Sequence, residues 1–368
     1  PTEHFYNVNE FKFYEDIKNS KEGWNLTFTW LEDSQCDQHS RFVGATIIYL
    51  KLQKCFRELD TQGKELVRSK LLNLVLLYPQ GSIRSKLCQC IAVLAVQMRE
   101  WEDPIGYVFQ FVKSVDILLE ILAAFPEEST PTSFSVRCNP TQKKDFVKYL
   151  THACPNVLQF LQEALVHQQD NNETKNLVLQ CLHNWLQGKV LATEDFVQSE
   201  MFQYTVHCCT GSQLSTISIA TDALSAAVEQ TQDDKGNYVL WNEIVAEKLL
   251  LGVGMLWNVV EGLSDSHLCI AEAATEMCTY SLPLIMQRSE YRVNLQQMHA
   301  ALSHRSNAVV LCVLPFWNAV STQTKPESKC LDDIFQFALG SLIKKTMYPQ
   351  SFCTLEERDE FLDFREEI

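Results

Sequence analysis

Apolar residues in this chain recur three and four positions apart, in short blocks separated by polar loops. Val115–Glu128, read VDILLEILAAFPEE, shows the unit most clearly. Ile117, Leu118, Ile121, Leu122 and Phe125 fall on one helical face, so that face must be buried against other helices. Pro126 is expected to end this helix, because its ring removes a backbone donor and crowds the preceding turn. Glu127 and Glu128 then belong to the following loop.

The same unit repeats in pairs. Helices are predicted over Val8–Asn19, Glu22–Asp33, Arg41–Leu59 and Gln62–Leu77, the last ending at the turn Pro79-Gln80-Gly81. Ser82 is expected to cap a helix that runs to about Glu100. Asp103-Pro104 reads as an N-cap followed by proline at the first helical position. After a polar loop, Ser129–Pro140, a longer helix begins near Thr141 and should kink or split at Pro155. Further helices follow over Glu173–Gly188, Glu194–Cys209, Ser215–Thr231, Tyr238–Leu263, Ser266–Arg288, Tyr291–His304, Asn307–Thr322 and Leu331–Tyr348. Thr354 and Glu357 have capping-box spacing and open a last one.

No stretch alternates apolar and polar residues long enough for a strand, and glycine is scarce at 12 of 368 residues. The fold class is therefore all-α. Second helices of the pairs begin near residues 40, 82, 115, 173, 214, 266 and 306. Their spacing centres on the roughly 40–47 residues of HEAT-type repeats. No such unit buries its apolar face alone, so each must stack on its neighbours. The expected architecture is an α-α superhelix, a HEAT/armadillo-like solenoid with its second helices on the concave side.

Composition narrows the function. Apolar residues make up 46%, enough for a core, and the net charge is −15. An acidic surface disfavours direct contact with nucleic acid or anionic membrane and favours basic protein partners. The longest apolar runs, such as Leu249–Trp257, are too short to span a bilayer. The chain opens on Pro1, so a processed N-terminus is expected. None of the fourteen cysteines forms a CxxC pair, and most lie among apolar residues. Reduced thiols in an intracellular chain are the plain reading.

Motifs for chemistry are weak. Gly252-Val253-Gly254 lacks the third glycine and a preceding strand, so it is no dinucleotide loop. His207-Cys208-Cys209 offers metal-type ligands, but adjacent helical residues point about 100° apart and cannot close one tetrahedral site. Cys88 and Cys90 are excluded on similar grounds. No HExxH, GxSxG or phosphate loop occurs. The expectation is no enzyme, no catalytic residue, no metal and no cofactor. What remains is an interaction scaffold.

Several segments resemble the importin-β (karyopherin-β) superfamily, and within it the transportin-SR (transportin-3) and importin-13 branch. FVGATIIYLKLQKCFRELD carries Phe42, Ala45, Thr46, Lys51, Gln53, Phe56 and Leu59 in place. KLCQCIAVLAVQMREW carries Leu87, Ile91, Ala92, Leu94, Ala95, Gln97, Met98 and Trp101. LLEILAAFPEE, residues 118–128, is the most specific, and LQCLHNWLQGKVL agrees at Cys181, Leu182 and Trp185. The likeness is strongest in the first third and patchy after about residue 190. Members are roughly twice as long, so the chain resembles an N-terminal portion.

The resemblance implies a nuclear transport receptor moving between cytoplasm and nucleus. Its partners would be Ran-GTP, Phe-Gly nucleoporins and protein cargo, with arginine/serine-rich splicing factors as that branch's cargo class. It divides the chain into N-terminal repeats that meet Ran, residues 1–128, and further repeats over 129–368. Lys51 and Gln53 are expected to point out of the core. Together with Glu120, Glu127 and Glu128 they would contribute to the wall that meets Ran. Two alternatives stay open: an exportin of the same superfamily, and a HEAT scaffold unrelated to transport.

Overall fold

The computed structural model describes residues 15–78, 80–129, 140–167, 171–233, 238, 240–260, 268–323, 329–347, 358 and 362–365. The expected helix over Val8–Asn19 falls mostly outside these residues, and the capping box at Thr354 and Glu357 falls wholly outside. Among the described residues every regular element is helical, and the only β contact is an isolated bridge between Gln232 and Tyr238. The all-α prediction holds. The chain divides into two compact units, Pro1–Val190 and Leu191–Ile368.

In the first unit the helices pair in order. They are α1 (Gly23–Glu32) with α2 (Gln38–Cys55), α3 (Thr61–Leu77) with α4 (Ser82–Gln97), α5 (Pro104–Phe111) with α6 (Val115–Ser129), and α7 (Pro140–His167) with α8 (Asn172–Gln187). Second helices stack directly: α2 on α4, α4 on α6, α6 on α8. A helix in the middle of such a row is covered on several sides and must be apolar nearly all round. Accordingly α4 buries Leu87, Cys88, Cys90 and the whole run Ile91–Val96.

Short polar side chains start these helices. Asp37 accepts the Ser40 N–H at 2.9 Å, Asp60 that of Gly63 at 2.7 Å, and Asp103 that of Gly106 at 3.0 Å. Each satisfies a donor the helix leaves unpaired. Pro104 sits at the start of α5 as expected. Ser82 is not a cap: Gly81, with φ of 96°, takes the turn and Ser82 is the first helical residue.

Side chains also tie successive repeats to one another. Gln97 Nε2 donates to Leu52 O at 2.7 Å. Gln142 Nε2 donates in turn to Val96 O and Gln97 O at 2.9 and 2.8 Å. Each amide satisfies the carbonyl end of the second helix before it.

Pro126 does not end α6, which continues to Ser129. A proline lacks the N–H that would bond four residues back, here to Leu122 O. That carbonyl is taken instead by the Trp185 indole, at 2.9 Å. The neighbouring Ala123 O accepts from Asn184 Nδ2 at 3.1 Å. A Cβ at Gly188 would come within 2.8 Å of the Pro126 ring, so glycine there makes room for it. Helix α7 likewise runs unbroken through Pro155.

The second unit contains α9 (Thr193–Gln198), α10 (Glu200–Cys209), α11 (Leu214–Glu229), α12 (Glu243–Val260), α13 (Leu268–Tyr280), α14 (Leu282–Gln287), α15 (Arg292–Leu302), α16 (Asn307–Gln323) and α17 (Lys329–Thr346). Two helices expected as continuous are broken. The first breaks at Ser199, between α9 and α10. The second breaks at Ser281, whose hydroxyl donates to Ala246 O at 3.2 Å just before Pro283. The packed row here is α11 on α13 and α13 on α16. Gly252 and Gly254 lie inside α12, as a helical reading required. A Cβ on Gly252 would meet Met277 at 2.9 Å and Phe202 at 3.0 Å, so this glycine serves close helix packing.

Candidate functional site

The five residues expected on the Ran-facing wall lie on α2 and α6, within the first unit's row of second helices. The structure corrects most of their settings. Lys51 does not point outward; it is 1% exposed. It shares its stripe with Ile47 and Ile48, so its aliphatic stem fills core space. Its ammonium donates to Lys18 O at 3.1 Å and Ser20 O at 2.6 Å, and lies 5.2 Å from the Trp24 ring centroid. Burial pushes its pKa down. Lys51 therefore closes the carbonyl end of the turn before α1. Gln53 is half-buried, and its carboxamide nitrogen finds no acceptor among the described residues.

Glu120 pairs with Arg84 across α4 and α6, with side chains 14% and 6% exposed, and accepts from the Ser85 hydroxyl at 3.3 Å. Glu127 and Glu128 lie in the last turn of α6, not in a loop, because Trp185 supports the helix past Pro126. Glu128 is 5% exposed and accepts from the Tyr49 hydroxyl at 2.7 Å. Glu127 is exposed and accepts from Asn184 Nδ2 at 2.8 Å. Desolvation first, then the Glu128 charge, hold the Glu127 carboxyl above its usual range.

The structure thus brings Glu127 and Glu128 together and adds three residues that the sequence reading missed. Tyr49, Lys86 and Asn184 join them in a polar ladder over α2, α4, α6 and α8. Lys86 Nζ lies 4.6 Å from the Tyr49 ring centroid. The signal for Asn184 was its place beside Trp185. Tyr49 falls on the apolar face expected of Arg41–Leu59, which gave no sign of its hydroxyl contact, and nothing in the pattern marked Lys86.

The second unit presents a different surface. A cleft of about 740 Å³ opens among α11, α13 and α16. It holds three carboxylates, Asp222, Glu272 and Glu276, with Tyr238, Leu311 and Pro315 among the walls, and among the described residues no Lys, Arg or His lines it. Residues 191–368 contain 11 basic and 24 acidic side chains, against 20 and 22 in residues 1–190. The chain's negative charge is thus concentrated in the second unit. Desolvation, and then Glu229 and Glu272, raise the Glu276 pKa against the bond from Ser225. Cys312 donates to Glu272 at 3.7 Å, and burial with that charge pushes its thiol up to about 12.

Chemically, these surfaces suit binding. Burial pushes Cys90, Cys181, Cys209 and Cys278 well above the ordinary thiol range, so these side chains are poor nucleophiles. In the His207-Cys208-Cys209 run, Cys209 is buried with its thiol on Thr205 O at 3.3 Å, while Cys208 is half-buried. Among the described residues no helix is long and apolar enough to cross a membrane.

Residues 80–222 match the family model described as Exportin 1-like protein. Those residues contain α4 to α8, the polar ladder's core and the start of the second row. The mRNA transport regulator MTR10 of Saccharomyces cerevisiae is 23% identical over 331 residues, covering 81% of this chain and 33% of that protein. An uncharacterised protein of Schizosaccharomyces pombe, C11G11.07, is 26% identical over 124 residues, covering 32% of this chain and 13% of its own length. The chain therefore spans about a third or less of the curated relatives it matches. A crystal structure of an engineered protein covers 97% of the chain with a TM-score of 0.49 and 12% identity, covering 93% of its own length. The helical fold assigned here rests on the elements themselves.

Proposed function

We propose that this chain acts as a karyopherin-type nuclear transport receptor, a binding protein rather than an enzyme, that shuttles between cytoplasm and nucleus. The observation that carries the reading is the alignment of 331 residues with MTR10, with the Exportin 1-like match over residues 80–222 inside it. The finer assignment is an importer of the transportin-SR/importin-13 kind, binding Ran-GTP, Phe-Gly nucleoporins and basic cargo such as arginine/serine-rich proteins. The excess of carboxylates in residues 191–368 supports a basic cargo, since complementary charge speeds encounter and selects sign. Of the five residues first assigned to the Ran wall, Glu127 is exposed and Gln53 half-buried; these two are kept in the proposal. Lys51, Glu120 and Glu128 are occupied in internal contacts.

The test is a pull-down of the chain with Ran loaded with a non-hydrolysable GTP analogue or with GDP. GTP-selective binding is expected; equal binding of both forms, or of neither at tens of micromolar, overturns the reading. The family description also favours an export reading. Adding a basic cargo protein separates the two. An importer releases cargo when Ran-GTP is added, and an exportin binds it more tightly.

A further inference from the structure

The second unit's cleft, about 740 Å³, has two kinds of wall. Leu268 and Leu311 are half-buried and Pro315 is exposed, so apolar surface lies open along α13 and α16. The carboxylates stand beside it, Asp222 on α11, and Glu272 and Glu276 on α13. The groove is therefore apolar along one side and acidic along the other.

The acids are held by neighbours that carry no charge. The Cys312 thiol on α16 donates to Glu272 at 3.7 Å, and Ser225 on α11 bonds to Glu276. Asp222 is exposed and forms no hydrogen bond or ion pair among the described residues. Helices α11, α13 and α16 together contain four acidic residues, Asp222, Glu229, Glu272 and Glu276, and no Lys, Arg or His. No side chain of the three helices can swing round to supply a counter-charge. A cleft lined by one sign of charge focuses the field and draws in the opposite ion.

The acids differ in reach. One carboxylate oxygen of Glu276 is covered and has no partner among the described residues, so this side chain acts through its charge and not by contact. Asp222 and Glu272 are exposed and are the acceptors a ligand can touch. The apolar wall then narrows the ligand. Lysine and arginine lay their methylene stems along apolar surface while the charged head stays among polar groups. A cation alone on exposed carboxylates gains little. An aliphatic side chain alone would cover the groove and leave the acids poorly solvated.

We propose that this cleft takes a segment of a partner protein in which an arginine or lysine lies one to three residues from a leucine-like side chain. The cation meets Asp222 and Glu272, with its stem along Leu268. The aliphatic side chain packs on Leu311 and Pro315. A plain arginine/serine repeat offers the first anchor and lacks the second, so the cleft selects basic–aliphatic segments over arginine/serine-rich ones. The inference rests on the transport reading only in taking the partner to be a protein cargo.

The test uses the whole 368-residue chain. Three fluorescein-labelled nine-residue peptides, identical outside their centres, are compared by anisotropy. The centres are Arg-Leu-Arg-Leu, Arg-Ser-Arg-Ser and Glu-Leu-Glu-Leu. The first should bind at least about ten-fold more tightly than either of the others. The double variant Asp222→Asn, Glu272→Gln should remove its advantage over the acidic peptide. Both residues are exposed, so an unchanged melting curve will show that the variant folds. With photoleucine in place of leucine in the first peptide, cross-links located by mass spectrometry should fall within residues 268–280 or 307–323. Equal binding of the first peptide and either other, no binding of the first, an unaffected preference in the double variant, or cross-links confined to other helices would each overturn the proposal. A failed Ran pull-down would leave these results standing, and failure here would leave the Ran test untouched.

Discussion

Glu120 in the first unit and Glu276 in the second occupy comparable places. Each is on a second helix, α6 or α13, packed between two others. Glu120 meets Arg84 and the Ser85 hydroxyl. Glu276 meets Ser225 and the charges of Glu229 and Glu272, in a cleft that no cation lines among the described residues. The same contrast extends through both units. In residues 1–190, Lys70 pairs with Glu32 and Lys64 with Glu100, and Lys51 is spent on backbone carbonyls. In residues 191–368 the Arg288 cluster with Glu243, Glu247 and Glu290 consumes three acids, and the excess over cations remains. Charge in the first unit is largely internal to the fold, whereas charge around the second unit's cleft is left for something outside it.

The comparison breaks most readily at Arg84. A pair this buried contributes little beyond a hydrophobic replacement, but removing one partner leaves an uncompensated charge. Arg84→Ala should cost about 3–5 kcal/mol, read as a lower midpoint in denaturant. The double variant Arg84→Met, Glu120→Leu should recover most of that loss. Equal losses in the single and double variants would show that the pair is valued for packing and not for charge.

The next largest effect tests the row itself. Leu119 is 0% exposed in the middle of α6. Leu119→Ala should cost about 2–5 kcal/mol, depending on how far the cavity collapses. Amide exchange should quicken in α4 and α8 as well as in α6, because stacked repeats share their stability with their neighbours. Faster exchange confined to α6 would mean that the row is less cooperative than its packing suggests.

Periodicity made the fold legible because a helix pair must bury an apolar stripe, and it supplied helix order and approximate starts. It misplaced the end of α6 because proline's penalty was judged locally. The carbonyl that Pro126 leaves open is satisfied by Trp185, 63 residues from Leu122 along the chain. Lys51 was misread for a related reason. A lysine in an apolar stripe looks like an exposed interruption until the structure supplies Lys18 O and Ser20 O as acceptors. The carboxylate cleft escaped notice because Asp222, Glu272 and Glu276 are spread over two helices, and neither helix alone carries an unusual run of acids.

The smallest expected effect sharpens the contrast through its sign. Glu276 has its pKa raised above the usual carboxylate range, chiefly by desolvation. The folded state therefore binds this proton more tightly than the unfolded state does. With more protons bound in the folded form, stability falls as pH rises from about 4.5 through the raised folded value. Glu276→Gln should then stabilise the chain at pH 7 and give no such gain near pH 4.5. Glu100 in the first unit behaves in the opposite way. Its own backbone N–H, and then Lys64, lower its pKa, so its small contribution is present at neutral pH and is lost as pH falls through that lowered value. Solvent screening at this half-exposed pair keeps the effect slight. Melting curves of Glu276→Gln and Glu100→Gln, taken in steps from pH 4 to pH 8, should diverge from the parent chain in opposite directions at the neutral end. Loss of stability in both variants at pH 7 would mean that Glu276 has a counter-charge after all, and the second unit's cleft would then have no unmet demand for a basic partner.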